Sequence, residues 1–523
     1  MDSSQRQDRM TTAGADEGAA PSVERSPNPS VEPRLSVIAP APLELVRSLC
    51  DEVETEHVRY CHFKSNVELD RSASGLNDLD LLVARSDAQR FVEVLYRLGF
   101  KRAWRAGALH VPGVAHYYGF DAGSGRFVHV HAHLQLSVGD DMTKNYRLPF
   151  EEPYLSSTTR AGLFRIPAPE FELVLFVVRM VLKHCAADAA LGARRSLSRR
   201  ERDEFGHLLR SADLAASRAV VKEHLAMVGA GLFDRCLDAL RPGSSLAFRA
   251  STAYRLQREL APDGRRGQAT DGLLKLWRRQ WRRARRRLLP RTGATFDRGS
   301  IVAVVGGDGS GKTSTVGELE RWLSTPFETT RVHLGKPPRS GIASLHRASV
   351  RIGKMLGLVS GTPLRAGVGA GDVDEFPGYA WLLFRVLKAR DRYGTYLHAR
   401  RFAARGGIVL CDRYPLPQIR SMDRARTAWS ADTPKHGALV RYLVDRERRY
   451  YDRIADPDLL IVLRLDPEVA VRRKREDDPE SVRLRNFEVR ELSWQSATTY
   501  VADASRSSED VLSDIKRWLW PRL

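Results

Sequence analysis

The first 55 residues change from a polar pattern to an apolar, periodic one. Residues 1 to about 40 are rich in Ser, Pro, Ala, Gly and charged residues and contain almost no large apolar side chains. Such a segment cannot bury enough surface to offset the entropy of ordering, so we expect a disordered tail over residues 1–40. From Leu43 to Val53, apolar residues recur at helical spacing, which predicts an amphipathic helix.

Alternating and continuous apolar runs follow this helix. They predict strands at about 59–64 and Leu79–Val83, followed in the chain by a helix over 88–98. A hairpin should then pair His116–Asp121 with Arg126–Leu136 across an Ala-Gly-Ser-Gly turn. Together these elements predict a small α/β domain over residues 41–150.

The rest of the chain divides into three parts by pattern. Residues 151–261 are mostly helical by periodicity, and the apolar run 171–182 is too short and too charged to span a membrane, so it reads as a buried helix. Residues 262–298 shift to Gly and Arg and form a basic amphipathic linker. Residues 299–523 contain apolar strands that alternate with helical patterns, which is typical of a parallel α/β sheet.

Composition and charge narrow the class of protein only slightly. The 523 residues carry 84 Lys and Arg against 64 Asp and Glu, a net charge of +20, which implies an anionic partner or surface. Charge alone does not indicate nucleic acid, which we do not expect as a partner. The five cysteines lack metal-type spacing and no secretory signal pattern is visible, so we expect a cytoplasmic protein.

A glycine-rich loop between a predicted strand and a predicted helix is the strongest chemical signal. The apolar run 301–305 leads into it, and a helical pattern follows it. The spacing G-x-x-x-x-G-K-T lets backbone N–H groups and the helix N-terminus converge on phosphate oxygens. The expected nucleotide-binding residues are Gly306, Gly307, Asp308, Gly309, Ser310, Gly311, Lys312, Thr313 and Ser314. Lys312 would reach the β and γ phosphates of ATP, and Thr313 would hold Mg²⁺.

A second apolar strand, 407–411, ends in Asp412 and Arg413. An acidic residue at this place is expected opposite the phosphate loop on the adjacent parallel strand, where it would share Mg²⁺ with Thr313. Arg413 is placed to reach a phosphate of the acceptor. The alternative interpretation is a solvated Asp-Arg pair at a strand end.

A third strand, 457–465, precedes a helix that Asp466 should cap. This helix becomes cationic, and a polar loop with more arginines follows. Such a segment suits a lid that closes on phosphates, with Arg472 and Arg475 as catalytic candidates and Arg483 and Arg485 behind them. A solvated basic helix is the competing interpretation for any single arginine.

Taken in order, these motifs resemble the thymidylate kinase family of nucleoside monophosphate kinases. The resemblance covers about 220 residues and includes the strand at Ala502-Asp503-Ala504 before the final helix. It implies phosphoryl transfer from ATP with Mg²⁺, aided by Lys312, Arg413 and lid arginines. The family carries an Arg-Glu-Pro loop for its acceptor, whereas residues 332–339 read VHLGKPPR, so thymidylate is not inferred as the acceptor.

The N-terminal domain resembles the minimal nucleotidyltransferases. A flexible stretch precedes Asp78 and Asp80, and carboxylates at i and i+2 of a strand point to one face, where they can share divalent metal. The pair is therefore a candidate second metal site. These enzymes need a third acidic residue on a later strand, a role left here to Asp121 or Glu68.

The later strand offers histidines instead of a carboxylate. His129, His131 and His133 share one strand face, and histidines at i and i+2 make a workable pair of metal ligands. The favoured interpretation is a polar strand face that meets solvent or a substrate cleft.

The linker contains a second amphipathic element, residues 276–291, which read LWRRQWRRARRRLLPR. Trp277 and Trp281 form an apolar stripe among arginines, as in helices that lie on anionic membranes. The favoured alternative is a helix docked by its tryptophans on a flanking domain. Binding of nucleic acid by the same arginines is a third interpretation.

The sequence therefore predicts an α/β protein with a P-loop kinase domain, a smaller nucleotidyltransferase-like domain and a helical region. We expect an ATP- and Mg²⁺-dependent phosphotransferase acting on a nucleotide or another small phosphate acceptor. The alternatives are a nucleotide-gated protein that binds a membrane or a partner, and a nucleotidyltransferase. A homodimer and a peripheral position at the inner face of the membrane are further expectations.

Overall fold

The computed structural model describes most of the chain from residue 41 onward. The described residues are 41–105, 111, 113–185, 197–288, 293–338, 340, 341, 344, 345, 348, 379–419, 421, 422 and 437–523. The predicted tail, residues 1–40, lies outside them.

The described residues combine helices and strands along their whole length. The sixteen α-helices in them are α1 (Glu44–Thr55), α2 (Leu69–Ala73), α3 (Ala88–Arg97), α4 (Glu151–Ser156), α5 (Pro169–His184), α6 (Arg199–Ser211), α7 (Leu214–His224), α8 (Gly229–Leu240), α9 (Leu246–Glu259), α10 (Gln268–Leu288), α11 (Lys312–Ser324), α12 (Tyr379–Ala403), α13 (Ala438–Asp452), α14 (Pro467–Arg473), α15 (Pro479–Glu491) and α16 (Ser508–Leu519). The strands are β1 (Tyr60–His62), β2 (Leu79–Val83), β3 (Lys101–Arg105), β4 (Val114–Asp121), β5 (Arg126–His133), β6 (Leu136–Val138), β7 (Tyr146–Leu148), β8 (Thr159–Ala161), β9 (Phe164–Ile166), β10 (Ala294–Thr295), β11 (Ser300–Gly306), β12 (Thr329–Val332), β13 (Ile408–Asp412), β14 (Leu459–Arg464) and β15 (Thr499–Asp503). The predicted α/β class is confirmed.

The N-terminal sheet has six strands in the order β1-β2-β5-β4-β3-β10. Only β2 and β5 run parallel, and the other neighbours are antiparallel. The hairpin predicted from the turn is confirmed, because β4 and β5 pair from Val114↔His133 to Asp121↔Arg126. Its second strand ends at His133 instead of Leu136, since Leu136 opens β6 and pairs with Leu148 of β7.

One face of this sheet is buried against helices. Val46 and Leu49 of α1 and Phe91 of α3 pack in one cluster with inward residues of β2 and β5, such as Leu81 and Val130. Because side chains alternate along a strand, the opposite face of the same strands carries Asp80 and the histidines of β5.

The helical layer is built around α5, which is apolar on nearly every side. Pro169 begins this helix, where its missing N–H costs nothing, and the helix packs against α6, α7, α8 and α9. The short hairpin of β8 and β9, which the periodicity did not predict, precedes it. Among the described helices, none is long and apolar enough to cross a membrane.

The C-terminal sheet has five parallel strands in the order β12-β13-β11-β14-β15. These strands read as apolar runs because both faces are covered. On one face, Val302 and Val304 pack with residues of α11 and α16. On the other face, Ile301 and Ala303 pack with residues of α12 and α15. The central strand β11 therefore lies between two helical layers.

The two sheets are in contact through strand β10 near the end of the basic linker, through Trp520 and through Tyr118. Strand β10 pairs with β3, so Ala294 lies opposite Arg105 and joins the N-terminal sheet. Trp520 Nε1 donates a hydrogen bond to the carbonyl of Gly99 at 3.0 Å. Tyr118 of β4 packs in the same apolar cluster as Val304 of β11.

Helix α10 contacts the rest of the protein through arginines and not through the apolar stripe that contains its tryptophans. Arg279 forms an ion pair with Asp140 at 2.7 Å, and Arg278 Nη1 donates to the Met142 carbonyl at 2.7 Å. Trp277 and Trp281 are 62% and 56% exposed. The interpretation that the tryptophans dock this helix on a flanking domain is therefore wrong; residues 289–291 of the predicted helix lie outside the described residues.

Candidate functional site

The glycine-rich loop connects the central strand β11 to helix α11. The strand ends at Gly306, and α11 begins at Lys312 with Gly311 as its N-cap. Gly309 and Gly311 have φ of +78° and +85°, a region that favours glycine. The loop therefore folds back on itself in front of the N-terminus of α11, where the helix dipole favours an anion, as the spacing predicts.

Helix α15 lies directly against this loop through Asn486. The Asn486 side chain is 1% exposed, and its Nδ2 donates to the Asp308 carbonyl at 3.0 Å and to the Val482 carbonyl at 2.9 Å. A Cβ on Gly307 would lie 2.0 Å from Asn486 Oδ1. Glycine at position 307 is thus required by a packing contact with Asn486.

Lys312 and Thr313 begin α11 on the side that faces the loop. Lys312 is 6% exposed, and its Nζ donates to the Gly307 carbonyl inside the loop. Ser310 is also buried, and its Oγ donates to the same carbonyl at 2.8 Å. Thr313 Oγ1 donates to Asp412 Oδ2 at 2.9 Å. The loop region and the Asp412 carboxylate are thus in contact, as predicted.

Asp412 stands at the end of β13, next to the central strand. The register places it opposite Val304, and its side chain is 1% exposed. Asp412 Oδ2 pairs with Arg331 at 3.0 Å, and Oδ1 is buried and has no hydrogen-bond partner among the residues that the structure describes. A hydroxyl beside an unsatisfied carboxylate oxygen suits Mg²⁺, which prefers oxygen ligands. Thr313 and Asp412 could therefore hold this ion.

Arg331 is a site residue that the sequence reasoning missed. It belongs to β12, two strands away from β11, and no motif marks it. It reaches Asp412 because β12 pairs with β13, with Arg331 opposite Leu410. Only the strand order could have indicated this neighbour.

Arg413 has a backbone conformation that non-glycine residues rarely adopt, with φ of +64°. Its Nη2 lies 3.2 Å from Asp308 Oδ1 in the loop. Such a strained residue at the end of a strand is a frequent feature of functional sites. The two neighbouring residues therefore have different partners: Asp412 contacts Thr313, whereas Arg413 contacts Asp308 of the loop.

Asp308 forms ion pairs with two arginines, one from each side of the loop. Arg485 of α15 pairs with its Oδ2 and Arg413 with its Oδ1. Burial raises the pKa of Asp308, but the Arg485 hydrogen bond and the charges of Lys312, Arg485 and Arg413 outweigh it and leave the pKa below its ordinary value. Asp308 is therefore ionised and holds two guanidinium groups at the loop.

The arginine-rich segment contacts the loop through arginines other than the two predicted to be catalytic. Arg472 and Arg475 are exposed. Arg473 Nη1 donates to the carbonyls of Gly309 at 3.4 Å and Ala504 at 3.2 Å. In the described part of the segment, Arg473 and Arg485 reach the loop, whereas Arg483 pairs with Glu468 at 2.7 Å. The predicted polar loop that carries Arg483 and Arg485 is wrong, since both belong to helix α15.

A cavity of about 930 Å³ adjoins the loop on the side of β14 and β15. Gly311 and Ser314 line it from the loop and α11, together with Arg473 and Ala504. The tip of the β4–β5 hairpin, residues 122–125, lines the other side. The volume falls within the range of small-molecule pockets, and the edge of the sheet is where α/β proteins bind ligands.

The loop after β12 is held by a buried arginine of α12. Arg392 is 1% exposed and donates to the Leu334 carbonyl at 2.6 Å and the Gly335 carbonyl at 3.1 Å. The backbone N–H of Lys336 is bonded to His333 Nδ1 at 3.1 Å. Arg339 lies outside the described residues.

In the N-terminal sheet, acidic and imidazole side chains gather on the face away from the helices. The register places Asp80 opposite His131, and His131 opposite His116. Asp78 Oδ1 lies 3.0 Å from His129 Nδ1. Burial lowers the pKa of His133 to about 4, so this imidazole is neutral near pH 7.

The third carboxylate of a nucleotidyltransferase does not join this cluster among the described residues. Asp121 accepts the Leu45 and Ser124 N–H groups at 2.9 Å, at the far end of β4. Glu68 pairs with Arg200 and accepts from Asn77. Asp121 therefore does not replace the missing acid, whereas Glu68 is held by Arg200 and Asn77 and stays an untested alternative. The favoured interpretation of the histidines as a polar strand face is incomplete, because all three of their side chains contact carboxylates.

The five-stranded parallel sheet carries a glycine loop with the spacing of a phosphate-binding motif between its central strand and helix α11. The chain is similar to the uncharacterized ATP-binding protein YghR of Escherichia coli strain K12, with 27% identity over 192 residues, 34% of this chain and 70% of that protein. The protein of the same name from Escherichia coli O6:H1 gives the same values. No family model matches the chain. This similarity supports nucleotide binding.

Proposed function

We propose that residues 299–523 form an ATP- and Mg²⁺-dependent phosphotransferase domain that resembles thymidylate kinases and acts on a nucleotide or another small acceptor. The observation that carries the proposal is the 2.9 Å contact between Thr313 Oγ1 and Asp412 Oδ2 beneath the glycine loop. A phosphate loop and a carboxylate that meet at one point are what a metal–triphosphate complex requires.

Each residue of the loop region has a role in this proposal. Lys312 would contact the β and γ phosphates, and its Nζ already lies inside the loop. Thr313 and Asp412 would hold Mg²⁺, which supplies charge neutralisation at the phosphates. Arg413 and Arg485 are positioned at the loop by Asp308, so two guanidinium groups are available near the transferred phosphate.

The cavity beside the loop would take the nucleoside part of the nucleotide. It adjoins Ser314 and Ala504 at the edge of the sheet. The acceptor would approach from the opposite side, where Arg392 holds the loop that contains Lys336. The positive charge of Lys336 at this place would favour an acceptor that carries phosphate.

Turnover with a panel of acceptors tests the phosphotransferase. Purified full-length chain is incubated with ATP, Mg²⁺ and nucleoside monophosphates, sugars or sugar phosphates, and products are identified by mass. We expect phosphoryl transfer to at least one acceptor and a loss of about 100-fold or more in Lys312→Ala, because the lysine charge stabilises the transferring group. The exposed Lys222 provides the control, and Lys222→Ala should retain activity. Full activity in Lys312→Ala would refute the proposal.

We further propose that α10 attaches the protein to an anionic membrane surface. The observation is an exposed apolar stripe next to exposed arginines. Leu273, Trp277 and Trp281 are 70%, 62% and 56% exposed. The two tryptophan rings stack with centroids 6.2 Å apart, and Arg282 and Arg283 are exposed beside them. Indole rings at the interface with arginines on lipid phosphates fit this arrangement.

Vesicle sedimentation tests the membrane proposal. The full chain should bind phosphatidylserine-containing vesicles and bind phosphatidylcholine vesicles at least tenfold more weakly. Trp277→Ser with Trp281→Ser should abolish the difference, whereas Tyr254→Ser, a change at another exposed aromatic residue, should not. Binding to anionic vesicles should be compared with and without ATP, since nucleotide gating predicts a change. Equal binding by the double variant would contradict this function.

A further inference from the structure

The polar face of the N-terminal sheet carries an organised group of imidazoles outside the nucleotide site. His116 of β4 lies directly opposite His131 of β5, and His129 lies two residues away on the same face. One ring nitrogen from each of these three histidines lies within 4.8 Å of the others. The three rings thus converge on one point, although they come from two strands.

The separations between ring nitrogens suit a single metal ion. His116 Nδ1 and His129 Nε2 are 3.3 Å apart. Two nitrogens bound to one tetrahedral ion at about 2.0–2.1 Å would stand roughly 3.3 Å from each other. The strand backbones already hold this pair at the spacing of co-ligands.

Two of the three histidines are oriented by carboxylates from the neighbouring strand. Asp78 Oδ1 lies 3.0 Å from His129 Nδ1, and Asp80 Oδ1 lies 3.0 Å from His131 Nδ1. Such contacts select the tautomer in which Nε2 is unprotonated, which is the usual arrangement behind metal-bound histidines. Lys64 lies 2.7 Å from Asp80 Oδ1 and balances its charge.

The unused nitrogen of His131 is the atom that a metal would satisfy. His131 Nε2 is buried and has no hydrogen-bond partner among the described residues; Asp78 Oδ2 lies 3.6 Å from it. A buried polar atom without a partner is costly, and a metal bond would remove that cost. Tyr118 stacks on His129 with ring centroids 4.1 Å apart and fixes the ring plane.

We propose that His116, His129 and His131 bind one transition-metal ion of the Zn²⁺ type. Three imidazoles select such ions, whereas Mg²⁺ prefers oxygen ligands. Asp78 and Asp80 act as outer carboxylates in this site. Three protein ligands leave a fourth position open, and the half-exposed side chain of Asp78 lies on the solvent side of the cluster. The open position would admit water or an anionic ligand.

Metal titration of the full chain tests this site. The protein is stripped with a chelator, and ZnCl₂ is titrated by competition with a chromophoric chelator. We expect one equivalent to bind, and we expect His116→Gln and His131→Gln to weaken it at least tenfold. Asp80→Asn should weaken it by about 10- to 100-fold through the loss of orientation. Substitution by Co²⁺ should give the visible absorption of a tetrahedral ion.

Matched variants separate this site from adventitious binding and from misfolding. His207 is exposed on α6, so His207→Gln should leave Zn²⁺ affinity unchanged. His133 belongs to a neighbouring group with Asp80 and His131. If His133→Gln abolishes binding while His116→Gln does not, the ligand set proposed here is wrong. ATP binding retained by each variant shows that it is folded; equal Zn²⁺ affinity in all histidine variants, or none in the parent, overturns the proposal.

Discussion

Gly307 shows how single positions of the phosphate loop are fixed by packing. Its missing side chain leaves room for Asn486, which is buried and bonded to the Asp308 carbonyl. The helix α15 and its Arg485 can approach the loop because of this contact. The glycine therefore determines both the loop and the position of the arginine-rich segment.

We predict that Gly307→Ala destabilises the site. The new Cβ would overlap Asn486 Oδ1, so Asn486 must move and break its bond to the loop. Overpacking of this kind costs about 1–3 kcal/mol, and ATP affinity should fall with it. Gly317→Ala is the control, since a Cβ at that helical position meets nothing within 4 Å. It should raise stability by about 0.5–1 kcal/mol. Equal ATP affinity in both variants would contradict this account of Gly307.

Glu172 is a buried acid of α5 whose titration should affect stability. Its pKa is raised from 4.5 to about 7, chiefly by burial and also by the charge of Glu204, which outweigh a hydrogen bond with Asn66 and the charge of Arg179. A raised pKa means that the folded state binds a proton more tightly than the unfolded state. The contribution of Glu172 to stability therefore falls as the pH rises from about 4.5 to about 7, and the loss is complete above that window.

We predict that Glu172→Gln removes this dependence. The variant should gain stability relative to the parent as the pH rises from 5 to 8, by roughly 3 kcal/mol at most. Urea unfolding at both pH values measures the difference. A difference that is the same at pH 5 and pH 8 would contradict the assignment.

The sequence predicts which residues lie together where a motif fixes their spacing. Lys312, Thr313 and Asp412 lie at the glycine loop as expected, because a strand, a turn and a helix impose their order. Arg331 and Asn486 were missed, since each reaches the site through the packing of a distant element. No local pattern marks such residues.

At the scale of elements, helix α10 shows the limit of periodicity. The amphipathic stripe predicted a helix, and the helix is present from Gln268 to Leu288. The docked side, however, is decided by Asp140, a buried acid in a loop far earlier in the chain. A hydrophobic stripe indicates which side of a helix can be buried, but the described part of the chain does not cover this one, since Trp277 and Trp281 stay exposed.

We predict that the Arg279–Asp140 ion pair holds α10 in place. The Asp140 side chain is 3% exposed. In Arg279→Gln its carboxylate would keep, among the described groups, the hydrogen bond from the Met142 N–H and lose its ion pair. Removing one partner of a buried pair should cost about 3 kcal/mol. Arg283→Gln, a change on the exposed side, should stay within about 0.5 kcal/mol of the parent. Denaturant midpoints compare the two, and equal midpoints would show that the pair does not hold the helix.

At the scale of the whole molecule, the two sheets were predictable and their connection was not. Apolar runs and turn signals predicted the strands, because each depends on neighbouring residues. The pairing of β10 with β3, the bond from Trp520 to Gly99, and the hairpin tip beside the nucleotide cavity join residues far apart in sequence. The N-terminal sheet therefore borders the proposed nucleotide pocket. This could not be predicted from any single segment of the sequence.

The central claim is that the glycine loop and Asp412 hold a magnesium-bound triphosphate between them. Calorimetric titration of the full chain with ATP, with Mg²⁺ and then with EDTA, tests this claim most directly. We predict that Mg²⁺ tightens ATP binding at least tenfold and that Thr313→Ala loses this enhancement, whereas Thr325→Ala, a change at the exposed end of α11, retains it. No ATP binding, or the same Mg²⁺ enhancement in Thr313→Ala, would contradict the claim.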